Sequence, residues 1–219
     1  MMKTALPLQK RTAGRRPKTG RPEGDTRAAI LTAARRLFAE RGFEGASMRE
    51  VAETARVNNA MIYYHFKDKD DLYRAVIFDS VAGLNSIWDE PIFRSSAPVK
   101  EKIRLFIEKF IRYEQKSEDI RRIMAMEFAK SGKISCICEE FFAENQVRLV
   151  ELLKDGIKNG ELKKIDPVMG VAALIGIIVH NFIMLPMAEH MKGKKVSLSP
   201  EKFGAFVSEL FFSGLANKA

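Results

Sequence analysis

The sequence predicts an all-α protein of about nine helices, and three observations carry that expectation. Apolar residues recur at three- and four-residue spacing along most of the 219-residue chain. Cap and stop residues fall between those runs at helix-length intervals. No stretch alternates with period two for long enough to make a strand. An apolar share of 46% with 30% charged residues is globular composition. A chain of this length buries a core without metal or disulfide staples.

Residues 1–22 hold Pro7, Pro17, Pro22, Gly14 and Gly20 among seven Lys/Arg, which predicts a disordered basic arm. The first helix starts near Asp25 or Thr26, puts Ile30, Ala34, Leu37 and Phe38 on one face, and stops at Gly42. Ser47-Met48-Arg49-Glu50 is a capping box that opens a second helix, ending near Ala55. Asn58 caps a third, through about His65. Asp68, with Asp71 in the first turn, starts a fourth that runs to about Trp88. Five more follow near 97–116, 118–130, 135–159, 166–190 and 199–216. Asp166-Pro167 and Ser199-Pro200 each set a cap before a proline at the first helical position.

Net charge is +9 and is unevenly spread. Residues 1–70 carry 15 Lys/Arg against 8 Asp/Glu, and residues 71–219 carry 22 against 20. A basic excess in the first third points to a polyanion there. Three short helices in residues 26–66, with a tight link between the second and third, form a helix-turn-helix. The second helix crosses a phosphate backbone and the third enters the major groove. Val51, Ala52, Val57, Ile62 and Phe66 are its expected core. Asn58, Asn59, Tyr63, Tyr64 and His65 face outward.

The run Ser47-Met48-Arg49-Glu50-Val51-Ala52, then Ala55-Arg56-Val57-Asn58-Asn59-Ala60-Met61-Ile62-Tyr63-Tyr64-His65-Phe66-Lys67-Asp68-Lys69, resembles the N-terminal signature of the tetracycline-repressor (TetR) family. The resemblance covers about residues 26–73. It implies an all-α homodimer with a DNA-binding N-terminal domain (23–72) and a C-terminal domain (73–219) for dimerisation and ligand. Carried over by position, Ser47 holds a phosphate, Asn58, Asn59 and Ala60 face base edges, and Tyr63, Tyr64, His65 and Lys69 contact backbone or bases. The residue chemistry agrees. A hydroxyl at a helix start suits a phosphate oxygen, and asparagine pairs with adenine. Two positions depart from the family. Arg56 stands where glycine is usual in the turn, at a cost of about 1–2 kcal/mol if left-handed, and offers a phosphate contact. Ala60 replaces a small glycine, so the operator sequence does not transfer from relatives.

In the arm, Gly14-Arg15-Arg16-Pro17 and Gly20-Arg21-Pro22 resemble the core of minor-groove AT-hooks. Arg15, Arg16 and Arg21 suit the negative potential of a narrow A·T groove. The other reading is a tail that raises affinity without sequence preference.

Residues 168–187 are almost wholly apolar and long enough to span a bilayer. His180, Asn181 and Pro186 oppose that, and the resemblance implies instead that this helix and the last one build a bundle between subunits. Phe203, Phe206, Val207, Leu210 and Phe211 form a face suited to dimer burial or to the chain's own core. Gly170 and Gly176 permit close helix approach. Phe106, Phe110, Tyr113, Met124, Phe128, Phe141, Phe142, Ile175 and His180 are candidate pocket residues for a hydrophobic small-molecule inducer. A buried Glu127 would select a cationic ligand.

The predicted function is a cytoplasmic, ligand-responsive repressor that binds a palindromic double-stranded DNA operator as a homodimer. No cofactor, metal or membrane partner is expected. Three scattered histidines (His65, His180, His190), no phosphate-cradling glycine loop and no nucleophile elbow argue against an enzyme. Cys136 and Cys138 point about 200° apart on a helix and cannot bridge each other. A metal or redox sensor built on them remains the alternative, short of ligands.

Overall fold

A computed structural model describes residues 23–129, 133–193 and 199–215. It leaves aside the side chains of residues 23, 128–129, 133–142, 185–186, 188–189, 192 and 214–215. The described residues form nine α-helices and no strand: α1 Glu23–Arg41, α2 Met48–Ala55, α3 Asn59–His65, α4 Lys69–Asn85, α5 Val99–Lys116, α6 Glu118–Ala129, α7 Lys133–Lys158, α8 Pro167–Lys192 and α9 Pro200–Leu215. The fold class is the one the sequence predicts. Two short 3-10 helices, Ser86–Asp89 and Pro91–Arg94, link α4 to α5. Trp88 therefore belongs to the first of these, and α4 stops three residues short of the expected end.

Most caps follow the sequence. Ser47 accepts from Glu50 N at 3.2 Å while its own N–H donates to the Glu50 carboxylate at 2.9 Å. Asp68 Oδ1 accepts from Asp71 N at 2.8 Å, and Asp71 accepts from Lys67 N at 2.9 Å. Asp166 Oδ1 accepts from Val168 N and Met169 N at 2.8 and 3.0 Å. These bonds satisfy helix-start amides that have no partner inside the helix. Gly42 and Gly193, at φ 71° and 62°, end α1 and α8 in the left-handed region that glycine enters freely.

Two cores organise the chain. The first joins α1, α2 and α3 to the N-terminal half of α4 through Val81, and it also takes Ile120, Ile123 and Met124 from α6. Phe38, Phe43 and Tyr73 meet edge-to-face or stacked inside it. The second starts at Leu84 and gathers α5, α7, α8 and α9. One rigid helix, α4, thus serves both cores.

Gly170 and Gly176 separate. A Cβ on Gly170 would sit 2.9 Å from the Leu153 Cδ1 of α7 and 2.8 Å from the Ile165 Cδ1, so α8 packs closely here and a side chain would make those methyls shift. Gly176 has nothing within 4 Å, so it mediates no close approach among the described residues. The expected dimer face of α9 also divides. Phe203, Val207 and Phe211, four residues apart, are buried in the chain's own core, while Phe206 and Leu210 are exposed.

Candidate nucleic-acid interface and ligand cavity

The turn between α2 and α3 is tight because Arg56 takes the left-handed conformation, φ 57° and ψ 43°. It is the one non-glycine residue with positive φ among those described. Val57 N then donates to Ala52 O at 3.0 Å and closes the end of α2. Met61, Ile62 and Phe66 anchor α3 inward, and Val57 packs beside them half-buried. Asn59, Ala60, Tyr63 and Tyr64 form one exposed face, the tyrosines 55% and 54% exposed. Two large aromatic rings thus stand on the solvent side of a helix anchored from its other side.

Three predicted contacts have prior engagements. Asn58 Oδ1 accepts from Met61 N at 2.9 Å as the cap of α3. That bond holds the Asn58 amide against the start of α3 and leaves its N–H₂ and the second lone pair of the oxygen outside the cap. The Ser47 hydroxyl donates its single proton to Glu50 at 2.8 Å, and it must rotate to donate to a phosphate. Those Ser47 bonds, with Arg41 at 2.7 Å, hold the Glu50 carboxyl below its ordinary range. Lys69 lies 4.4 Å over the Phe43 ring and reaches Glu44 O at 3.5 Å, tying α4 to the end of α1. His65 is half-buried, with Tyr64 edge-on at 5.1 Å.

The charge map is sharper in structure than in sequence. Arg36, Arg41 and Arg49 pair with Glu40, Glu50 and Glu53, and Arg35 with Asp79 of α4 at 2.5 Å. Residues 23–70 carry eight Lys/Arg and eight Asp/Glu, so the whole excess of the first third sits in residues 1–22. Arg15, Arg16 and Arg21 lie outside the described residues. Arg56 and Lys67 flank α3, exposed and outside the ion pairs of the described residues. Lys67 is absent from the sequence-derived set, although the lysine-rich turn after the aromatic run signals it.

Behind this unit a cavity of about 690 Å³ opens between α5, α6, α7 and α8. Phe106, Phe110, Tyr113, Met124, Glu127 and Ile175 all line it. The Phe106, Phe110 and Tyr113 rings form a ladder with centroids 5.6 and 6.2 Å apart. His180 is exposed and absent from the wall, because one residue turns the helix 100° from wall-lining Val179. The side chains of Phe128, Phe141, Phe142, Cys136 and Cys138 fall outside those described.

Sequence reasoning named Tyr113 and Glu127 but missed Glu114, Arg121 and Asn145 in the polar part of the wall. Glu114 is 6% exposed, and burial pushes its carboxyl up to about 7 against the pull of Arg121, 3.7 Å away. Burial also raises the Tyr113 hydroxyl to about 12, with the Glu114 charge adding to the shift. Asn145 accepts from Trp88 Nε1 at 2.7 Å and donates to Asn85 Oδ1 at 2.5 Å, a chain that pins α7 to the end of α4. None of these positions breaks helical periodicity, so nothing in the pattern marks them.

Residues 30–76 match bacterial regulatory proteins of the tetR family. The transcriptional regulator RutR of Escherichia coli K12 is 28% identical over 192 residues, 84% of either chain. The structure of FadR from Bacillus subtilis in complex with stearoyl-CoA superposes with a TM-score of 0.71 at 22% identity, over 85% of this chain and 98% of that one. AibR, solved with isovaleryl coenzyme A and operator DNA, gives 0.64 at 20% identity, over 84% and 97%.

Proposed function

The chain belongs to the tetR family of bacterial regulatory proteins, and on that premise we propose that it is a cytoplasmic repressor whose homodimer holds a palindromic operator until a small molecule with a hydrophobic body releases it. It is a DNA-binding transcription regulator and not an enzyme.

One observation carries the ligand response. Ile120 and Met124 belong both to the core of the helix-turn-helix unit and to the cavity wall. A ligand that displaces α6 displaces the surface on which α1 rests, and α1 in turn packs on α4. Release requires that the ligand favour the arrangement with the wrong spacing of recognition helices. AibR, solved with isovaleryl coenzyme A and operator DNA, supports a fold that takes both a small molecule and DNA.

The dimer reading rests on α8 and α9. Pro167–Met184 is long and apolar enough to cross a membrane, and only 28% of it is buried within the chain. The same helix packs against α5, α7 and α9, whose surfaces are charged elsewhere. Met184, Met187 and Met191 of α8 and Phe206 and Leu210 of α9 are exposed. A second copy laid against this pair covers both stripes, and its two-fold symmetry makes the operator palindromic. In this reading Asn59, Ala60, Tyr63 and Tyr64 read bases, Ser47, Arg56 and Lys67 hold phosphates, and Arg15, Arg16 and Arg21 add minor-groove contacts.

Fluorescence anisotropy of the full chain on duplex from its own promoter, against a shuffled duplex at two salt concentrations, tests the central claim. A preference of about 10³-fold or more for its own DNA is expected. Equal affinity for both duplexes overturns the operator reading.

A further inference from the structure

The cavity wall carries unbalanced charge. Two of its side chains are acidic, Glu114 and Glu127, and one is basic, Arg121. Arg121 is engaged with Glu114: its guanidinium stands 3.7 Å from the carboxylate and donates to the Glu114 carbonyl. The same guanidinium lies 5.1 Å over the Phe182 ring. Glu127 is 3% exposed, and its Oε2 has no hydrogen-bond partner among the described residues. Around it the cavity is bounded mainly by apolar groups such as Phe110, Met124 and Ile175. A buried carboxylate oxygen without a donor is destabilising. Glu127 belongs to the cavity wall, so a ligand that draws its carboxylate toward the cavity supplies the missing donor.

We propose that the cavity takes an amphipathic cation, an apolar body bearing a protonated amine, amidine or guanidine whose N–H groups donate to Glu127. This deepens the reading of the cavity as the inducer site and rests on it. The volume of about 690 Å³ suits a drug-sized molecule. An anionic head group meets the Glu127 carboxylate and finds the one basic group of the wall bonded to the Glu114 carbonyl and stacked over Phe182. A neutral ligand fills the space and leaves the carboxylate oxygen unmatched.

Trp88 is the chain's single tryptophan. Its ring lies 5.4 Å from cavity-wall Phe106, so its fluorescence reports occupancy independently of DNA. The full chain is titrated at pH 7 with decylamine, decanol and decanoate, each below its micellar range. Decylamine is expected to bind at least about tenfold tighter than decanol, the size of one charge-assisted hydrogen bond, with decanoate weakest. In Glu127→Gln the gap between amine and alcohol closes, while a circular dichroism melt verifies folding. Tighter binding of decanoate or decanoyl-CoA than of decylamine overturns the proposal. So does an amine preference that survives Glu127→Gln, or binding of none of the probes. The wild-type series needs no variant, so an unfolded Glu127→Gln does not spoil it. Anisotropy on operator DNA is read separately: decylamine that binds without releasing DNA overturns the repressor reading and leaves the cation assignment standing.

Discussion

The two halves of the molecule place polar and apolar groups in opposite ways. In the helix-turn-helix unit, apolar side chains turn inward and the exposed face of α3 is polar and aromatic. In the C-terminal half, Glu114, Glu127 and Asn145 are inside, while Met184, Met187, Phe206 and Leu210 are outside. Each inversion is unfavourable for an isolated chain. Under the proposed function the difference marks where partners bind: the unpartnered Glu127 oxygen meets a ligand, and the apolar groups exposed along two neighbouring helices meet a second copy.

The external inversion gives the largest expected effect. Phe206→Glu with Leu210→Glu puts charge on the exposed stripe of α9 and leaves Phe203, Val207 and Phe211 in the core. Sedimentation should give a monomer with intact helicity. Operator affinity should fall by about 10²–10⁴-fold, because two linked half-sites become independent. A double variant that remains dimeric places the interface elsewhere.

The internal inversion gives a pH dependence. Between pH 4.5, the ordinary value, and about 7, folded Glu114 keeps a proton that the unfolded chain has shed. Stability contributed by this group is therefore full below that window, falls as pH rises through it, and is level above. The loss is on the order of 2–3 kcal/mol. Urea unfolding at pH 4 and pH 8 measures it as the difference in slope between wild type and Glu114→Gln. Arg121 is the charged group paired with Glu114. Parallel pH profiles for the two proteins would show that Glu114 is solvated.

The fold was legible because its signals are local. Capping boxes, proline starts and glycine stops each lie within four residues of the bonds they make, as Ser47–Glu50 and Asp166–Met169 do. The exposed face of α3 was legible for the same reason, since the helix is seven residues long and its outward side follows from its inward anchors. The exceptions are contacts across the chain. Whether Phe203 meets its own α5–α8 core or a partner depends on helices 20 to 100 residues away, and periodicity is identical in both cases. Glu127 sits between Met126 and Phe128 in sequence, and only the packing of α6 turns it toward the cavity. Asn58 fits two readings in sequence, cap and base reader, and the structure shows its carbonyl in the cap bond.

The polar face itself separates into affinity and reading. Since residues 23–70 are neutral in sum, deleting residues 1–22 should weaken operator and shuffled DNA alike. It should also flatten the salt slope by several units, at about 0.9 per lost phosphate contact. Asn59→Ala and Tyr63→Ala should weaken operator binding alone, by about 1–3 kcal/mol each. Both side chains are exposed, so melting temperature should not move. Anisotropy titrations on the two duplexes distinguish these outcomes, and an arm deletion that spares the slope assigns the seven cations no phosphate.

Arg56 sits where stability and function oppose each other on one residue. Its φ of 57° is disfavoured for any side chain with a Cβ, and glycine adopts it without that strain. Arg56→Gly should therefore raise folding stability by about 1 kcal/mol, net of the extra freedom glycine gains when unfolded. The same change removes an exposed cation, outside any ion pair of the described residues, at the entry to α3. Operator binding should weaken modestly, and its salt slope should shrink by about 0.9. A chemical melt and a salt titration on the same variant read the two effects independently. A stability gain with an unchanged slope would mean that Arg56 merely tolerates the turn. A stability loss would mean that its side chain makes up the backbone strain within the folded unit.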